Sequence, residues 1–234
     1  MKDEWQDLEF AAEWDQEARI GIRNPTRAEQ VDILISYIAD FYKPGTALLD
    51  LGMGSGLVET QLFARRPDVY VVGIESSRAM IDLARARLAP FEQQYRLIYH
   101  DLADFEQIAL PLATYSIIFS VQALHHLASE DQQKLYRSLF NLLPPGGVFL
   151  LNDRIALDPE PFSDLYHSIW NRLERVSEAK SGISGDDFLQ QLQHKEDYPA
   201  SLEEHLSWLR QAGFEATCLH LHLNRALIAG VKPK

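Results

Sequence analysis

The chain has 234 residues, 46% of them hydrophobic and 24% charged, with a formal net charge of −12. This is enough for one sizeable core, with room for a small appended lobe. The acidic surplus, with no basic run to offset it, argues against a nucleic-acid or anionic-membrane partner. No apolar stretch approaches the roughly 20 residues that span a bilayer. The start, MKDEWQDLEF, lacks the basic and apolar regions of a secretory signal. A single cysteine, Cys218, excludes an internal disulfide framework and fits a reducing cytoplasm, the expected location.

Residues 1–46 read as helical. Asn24 and Pro25 suit the N-cap and first helical position, and VDILISYIADFY carries an apolar face at helical spacing. ALLDLGMGSGLV follows at 47–58: a buried strand ending at Asp50, then Gly52, Gly54 and Gly56 at alternate positions. Glycine admits positive φ and lets a ligand approach the main chain with no Cβ in the way. A helix from about Leu57 points its free N–H groups into the same gap. VYVVGIESSRAM then gives a second strand ending in Glu75, about 20 residues beyond the glycines. There a doubly wound sheet places the carboxylate that accepts from ribose hydroxyls. The dinucleotide fingerprint G-x-G-x-x-G requires glycine at 57, where this chain has Leu57.

The G-x-G-x-G spacing after Asp50 resembles motif I of the class I S-adenosylmethionine-dependent methyltransferases, a methyltransferase domain family, here of the small-molecule type. Further blocks follow in that family's order: YRLIYHDLADF, TYSIIFSVQALHHL, LLPPGGVFLLND, WLRQAGFEAT with its Ala-Gly-Phe corner, and RALIAGVKP. The resemblance implies an α/β fold. Its Rossmann-like, doubly wound, seven-stranded sheet is mostly parallel with the last strand antiparallel, has helices on both faces, and carries a helical lid insertion. The implied division is 1–46 covering the cofactor site, 47–154 with 202–234 binding the cofactor, and 155–201 as the lid. In the lid a helix is expected with Leu165, Ile169 and Leu173 on one face.

The resemblance also implies a ligand set for S-adenosylmethionine, leaving S-adenosylhomocysteine as product. Asp50, Gly52, Met53, Gly54 and Gly56 shape the turn, Glu75 and Ser76 meet ribose, and Asp101 with the Leu102 N–H meets adenine. Met80, Ser120 and Val121 complete the cofactor wall, and Trp14 and Arg19 close over the methionine end. An amphipathic helix docking Phe10, Trp14 and Ile20 on the core is an equal reading of that last segment.

A sulfonium methyl is already activated, so transfer needs alignment and exclusion of water rather than a metal. A base is needed only for an alcohol, phenol or protonated amine; a carboxylate acceptor calls for an Arg clamp. His125 and His126 after strand four, and Asp153 at the end of strand five, are the catalytic candidates. The plainer reading is that one histidine caps or packs at a helix start and the other is solvated. Asn152, Arg154, Tyr166 and Trp170 are candidates for substrate contact, although Tyr166 and Trp170, four apart on a helix, also suit packing. Ser120-Val121-Gln122-Ala123 departs from the N/D-P-P-Y/F signature of adenine and glutamine methyltransferases. Asn152-Asp153 only partly echoes the acids of metal-dependent catechol enzymes, and no metal is expected. His220 and His222 alternate with apolar residues as one face of a strand would.

The expected partner is a small-molecule methyl acceptor, bound by a monomer or homodimer. Carboxy-S-adenosylmethionine synthase, which modifies the cofactor itself, is the alternative within the fold and requires a lid arginine such as Arg172 or Arg175. A non-catalytic cofactor-binding regulator is the alternative from another class. A dinucleotide oxidoreductase is disfavoured by Leu57.

Overall fold

In the computed structural model, the described residues are 4–16, 26–111, 114–158, 160–176, 182–187, 190 and 198–234. Among them, seven strands form one sheet: β1 (Ala47–Leu51), β2 (Val71–Glu75), β3 (Tyr95–Tyr99), β4 (Tyr115–Val121), β5 (Val148–Arg154), β6 (Glu215–His222) and β7 (Arg225–Val231). Their order is β3-β2-β1-β4-β5-β7-β6. β1 to β5 pair in parallel, and β7 runs antiparallel to both its neighbours. This is the expected sheet. The chain winds outward from β1 to β3, then returns to the other side of β1 for β4. A doubly wound sheet opens its ligand crevice at such a reversal, beyond the carboxyl ends of the strands.

The helices are α1 (Leu8–Trp14), α2 (Arg27–Phe41), α3 (Leu57–Arg65), α4 (Arg78–Arg87), α5 (Ser129–Leu142), α6 (Ser163–Val176) and α7 (Leu202–Ala212). The central strands are apolar on both faces because both faces are covered. On one face Leu49, Leu51, Ile118, Phe149 and Leu151 meet Leu135, Tyr136 and Leu139 of α5 and Leu209 of α7. On the other, Leu48, Ile117, Phe119 and Leu150 meet Val31, Leu34 and Ile38 of α2 and Val58, Leu62 and Phe63 of α3. α2 is therefore a layer of the core, whereas α1 lies outside it, against Ala79 and Met80 of α4. Asn24 and Pro25 lie outside the described residues; α2 begins at Arg27 after Thr26.

α7 starts in a capping box, in which Ser201 Oγ accepts from Glu204 N and Glu204 accepts from Ser201 N. It ends at Gly213, whose φ of +110° only glycine adopts readily, and this makes the Ala-Gly-Phe corner. Helix α6, in the segment expected as a lid, differs from expectation. Leu173 is buried, but Leu165 and Ile169 are exposed, at 61% and 40%. The buried face is turned toward Trp170, which packs with Leu173, Tyr166 and Ile183 and donates Nε1 to the Ile183 carbonyl at 2.9 Å. A large ring with its own hydrogen-bond acceptor outcompetes two aliphatic side chains for the limited cover here.

Phe149 sits at the centre of the α5–α7 layer, against Tyr136 and Phe214. Phe149→Ala is expected to destabilise the fold by about 3–5 kcal/mol, read as a lower urea midpoint with an unchanged slope.

Candidate active site

The glycine turn leaves β1 at the sheet's reversal point. Gly52, Gly54 and Gly56 all have positive φ, at 83°, 58° and 76°. At Gly52 a Cβ would come 2.3 Å from the Ala123 Cβ, so the turn is packed directly against the loop after β4. At Gly54 a Cβ would meet nothing within 4 Å; that glycine borders open space and is required for its dihedral alone. The Gly52 and Met53 N–H groups both donate to the Ile74 carbonyl, at 2.9 and 3.0 Å. The Met53 side chain runs down into the core against Gly73, so only its backbone faces the turn.

Glu75 fastens the turn to β2. Its Oε2 accepts from Gly54 N at 2.8 Å, and its Oε1 from Ser76 N and Ser77 N at 2.8 and 2.7 Å. Burial pushes the Glu75 carboxyl above its ordinary value, and these three donors with the charge of His126 pull against it. Beneath the turn, Asp50 and Glu59 of α3 are both buried. Burial raises each, Asp50 far above the ordinary range. The neighbouring Glu59 and Glu75 charges raise Asp50 further.

The N-terminal segment ties itself across these loops. The Asp15 carboxylate accepts from Arg87 Nη2 at 2.6 Å and from Ser55 Oγ in the glycine turn, and Arg87 also donates to the Ser55 carbonyl. Gln6 accepts from Arg78 N and donates to the Ser76 carbonyl, while Ser77 Oγ donates to the Trp5 carbonyl. Trp5, Phe10 and Trp14 make an aromatic cluster whose Trp5 ring lies 6.0 Å from His126. Trp14 therefore stands at the crevice through its contact with Trp5. Arg19 and Ile20 lie outside the described residues. Trp5, Asp15 and Arg87 are missed by sequence reasoning, although the aromatic spacing of 5, 10 and 14 and the acid after Trp14 were visible signals.

The other expected cofactor residues divide by role. Ser77 Oγ caps α4 at Met80 N, and the Met80 side chain is buried beneath α1. Asp101 caps the turn Leu102–Gln107 by accepting from Ala103 N at 3.0 Å. Ser120 is fully buried and donates to the Leu51 carbonyl at 2.7 Å, locking β4 to β1, and Val121 packs into the α2 layer. Tyr166 and Trp170 stay together in a small separate core with Leu173, Ile183 and Leu223.

The catalytic candidates do converge. His125 Nδ1 is 2.6 Å from Asp153 Oδ1, and His125 N donates to Asp153 Oδ2 at 3.1 Å. Both are buried, with side chains 8% and 2% exposed. The His126 ring lies 4.1 Å from that of His125, tilted by 41°. Behind them His205 Nδ1 lies 2.7 Å from the Tyr136 hydroxyl, and burial holds His205 below its ordinary value. Burial alone would raise Asp153; the His125 charge and hydrogen bond, the Arg154 N–H and His205 bring it below the ordinary carboxylate range. Asn152 and Arg154 point to the opposite face of the sheet. His220 and His222 also share a face, because the irregularity between Cys218 and His220 precedes both.

A carboxyl depressed in the fold contributes stability above its unfolded pKa of about 3.9 and loses it as pH falls through the folded value. Asp153→Asn is therefore expected to cost roughly 3 kcal/mol at neutral pH. Urea unfolding at stepped pH should show the gap to wild type closing once the medium is more acidic than the ordinary carboxylate range.

Residues 48–147 match the family model described as a methyltransferase domain. Carboxy-S-adenosyl-L-methionine synthase of Trichodesmium erythraeum (strain IMS101) is 28% identical over 198 residues, 81% of this chain and 74% of the relative. The enzyme of the same name from Aeromonas salmonicida (strain A449) is 29% identical over 181 residues, 75% and 70% of the two chains. Among solved structures, magnesium protoporphyrin IX methyltransferase (ChlM) from Synechocystis PCC 6803 with bound SAM superposes with a TM-score of 0.60 at 16% identity, over 98% of this chain and 90% of the other. PigF with SAH gives 0.61 at 21%, over 97% of this chain and 61% of PigF. At these identities the structural likeness is one of fold. Residues 48–147 thus match a methyltransferase domain model, and the chain shares the seven-stranded fold of ChlM and PigF.

Proposed function

We propose that the chain is an S-adenosylmethionine-dependent methyltransferase that moves the methyl group to an O, N or C atom, or a carboxylate, of a small molecule by in-line displacement. The observation that carries this is Glu75 seated between the glycine turn and β2 at the sheet's reversal point, inside the matched domain. The cradle fits the cofactor: Gly54 borders open space, and Glu75 Oε2, with one backbone donor, retains acceptor capacity for a ribose hydroxyl. When bound, S-adenosylmethionine supplies a methyl already activated by its sulfonium, so no metal or covalent intermediate is called for.

The protein's own work is to orient and to exclude water. Trp5 and Trp14 close the crevice from the N-terminal side, held down by the Asp15–Arg87–Ser55 contacts. With its Nδ1 proton on Asp153, the His125 ring keeps one orientation and one tautomer, and its other nitrogen is the more basic for it. That is the arrangement of a positioned general base, which an alcohol or phenol acceptor would require.

A second reading is supported by the relatives' names: modification of the cofactor itself, as by a carboxy-S-adenosylmethionine synthase. The arginines expected for it, Arg172 and Arg175, are on exposed positions of α6, and the Arg172 charge acts on His222. Methyl transfer is therefore preferred.

Calorimetric titration with S-adenosylmethionine and, separately, NADH is expected to show saturable binding of the first alone. Glu75→Ala should weaken it at least about tenfold, with folding checked by circular dichroism. No binding by folded, ligand-free protein sinks the assignment. Mass spectrometry of nucleosides released from the purified protein separates the two readings, since only a synthase would carry a carboxylated cofactor.

A further inference from the structure

Asp50 and Glu59 sit beneath the glycine turn without the partners that buried carboxyls ordinarily have. Alternation along β1 puts Asp50 on the same face as Leu48, which packs into the α2–α3 layer. Glu59 enters that layer from the first turn of α3, whose Val58 and Leu62 pack there too. Asp50 is 2% exposed and Glu59 0%. Asp50 Oδ1 and both Glu59 oxygens are buried with no hydrogen-bond partner among the described residues. Buried polar atoms are satisfied in folded proteins, so three exceptions in one place ask for a reason. The fold does not supply one. A helix that opens on Leu57 and Val58 and runs on to Leu62 and Phe63 would be served as well by an apolar residue at 59.

The charged groups around the pair come from three further elements. Glu75, at the end of β2, brings a second negative charge to bear on Asp50. Arg27, at the start of α2, brings a positive one to bear on Glu59. His126, after β4, acts on Glu75. Burial raises both carboxyls of the pair, and it outweighs Arg27 at Glu59. Two buried carboxyls beside a third cannot all ionise cheaply, so the pair gives up its last proton at a higher pH than exposed carboxyls do. The turn over the pair borders open space at Gly54. A sulfonium makes S-adenosylmethionine a net cation, and the thioether left after transfer is neutral. A cation settling over buried acids favours their ionised form, and a neutral ligand does not.

We propose that the Asp50–Glu59 pair reads the charge of the cofactor: it releases a proton to solvent when cationic S-adenosylmethionine enters the crevice, and takes one back when neutral S-adenosylhomocysteine is left. The proposal rests on the reading that the crevice holds the cofactor. Coupling between two binding events is reciprocal, so the free energy that expels the proton is also a preference for the cation. As pH rises the ionised pair holds S-adenosylmethionine more tightly and gains little on the product. Glu59 thereby sets the balance between substrate and product through charge, with no contact to either.

The test is calorimetric titration of the full chain with S-adenosylmethionine and with S-adenosylhomocysteine, wild type against Glu59→Gln, in phosphate and in Tris buffer. The change in observed heat between buffers gives the protons released on binding. Comparing the two proteins with one ligand cancels the ligand's own ammonium. Wild type is expected to release more protons than Glu59→Gln on binding S-adenosylmethionine, with a smaller difference for S-adenosylhomocysteine. Between about pH 6 and pH 8 the wild-type preference for S-adenosylmethionine should rise, by at most about tenfold per pH unit for each linked proton, and that of the variant should rise less. Equal proton release by the two proteins with S-adenosylmethionine, or the same difference with both ligands, overturns the proposal. Urea unfolding without ligand tests the pair by itself. A carboxyl raised in the fold contributes stability below its unfolded pKa of about 4.3 and loses it as pH rises through the folded value. The urea midpoint of Glu59→Gln should therefore gain on wild type as pH rises, and a gap that does not change with pH overturns the pair's role. Absence of saturable heat with either ligand, from protein that unfolds cooperatively in urea, overturns the cofactor reading and this proposal with it.

Discussion

The crevice depends on one carboxylate accepting three backbone N–H groups. Parallel strands end in unpaired main-chain groups, and a glycine-rich turn has no side chains with which to hold its own shape. Glu75 supplies the missing partner from the neighbouring strand, fixing the turn at Gly54 and the start of the next loop at Ser76 and Ser77. Because β1 and β2 are in parallel register, with Leu51 beside Ile74, the acid at the end of β2 arrives at the height of the turn. The same contact keeps a partly buried charge solvated by the protein, which is what a ligand's hydroxyls would share.

The end of β5 illustrates how a period of two divides labour. Asp153 points into the α5–α7 layer, where it orders His125 and feels His205 behind it. Asn152 and Arg154, one step to either side, point into the α2 layer and join Gln30 and Arg225. One strand end thus places a buried histidine–carboxylate pair on one face and buried polar side chains on the other. Both lie beyond the carboxyl ends of the strands, where a doubly wound sheet admits ligands.

Much of this was legible from residue order. The strand–glycine–helix pattern at 47–58, the acid at 75 and the corner at Gly213 each have one physical solution, so they appear where expected. Side-chain direction was harder. Ser120 reads as a residue at a functional strand end, yet it spends its hydroxyl on the Leu51 carbonyl. The apolar stripe of α6 permits two faces a small rotation apart, and Trp170 with its Ile183 acceptor decides between them through a contact thirteen residues away. Contacts such as Asp15 with Arg87, or Gln122 with Arg225, join residues 72 and 103 apart in the chain. No local pattern encodes them.

The most direct measurement is a crystal structure of the protein soaked with S-adenosylhomocysteine, read at Glu75. The account predicts the nucleoside in the crevice, its ribose hydroxyls on the Glu75 carboxylate, and the Gly54-to-Glu75 bond retained. Nucleoside bound elsewhere, or bound in the crevice with Glu75 unengaged, would contradict it.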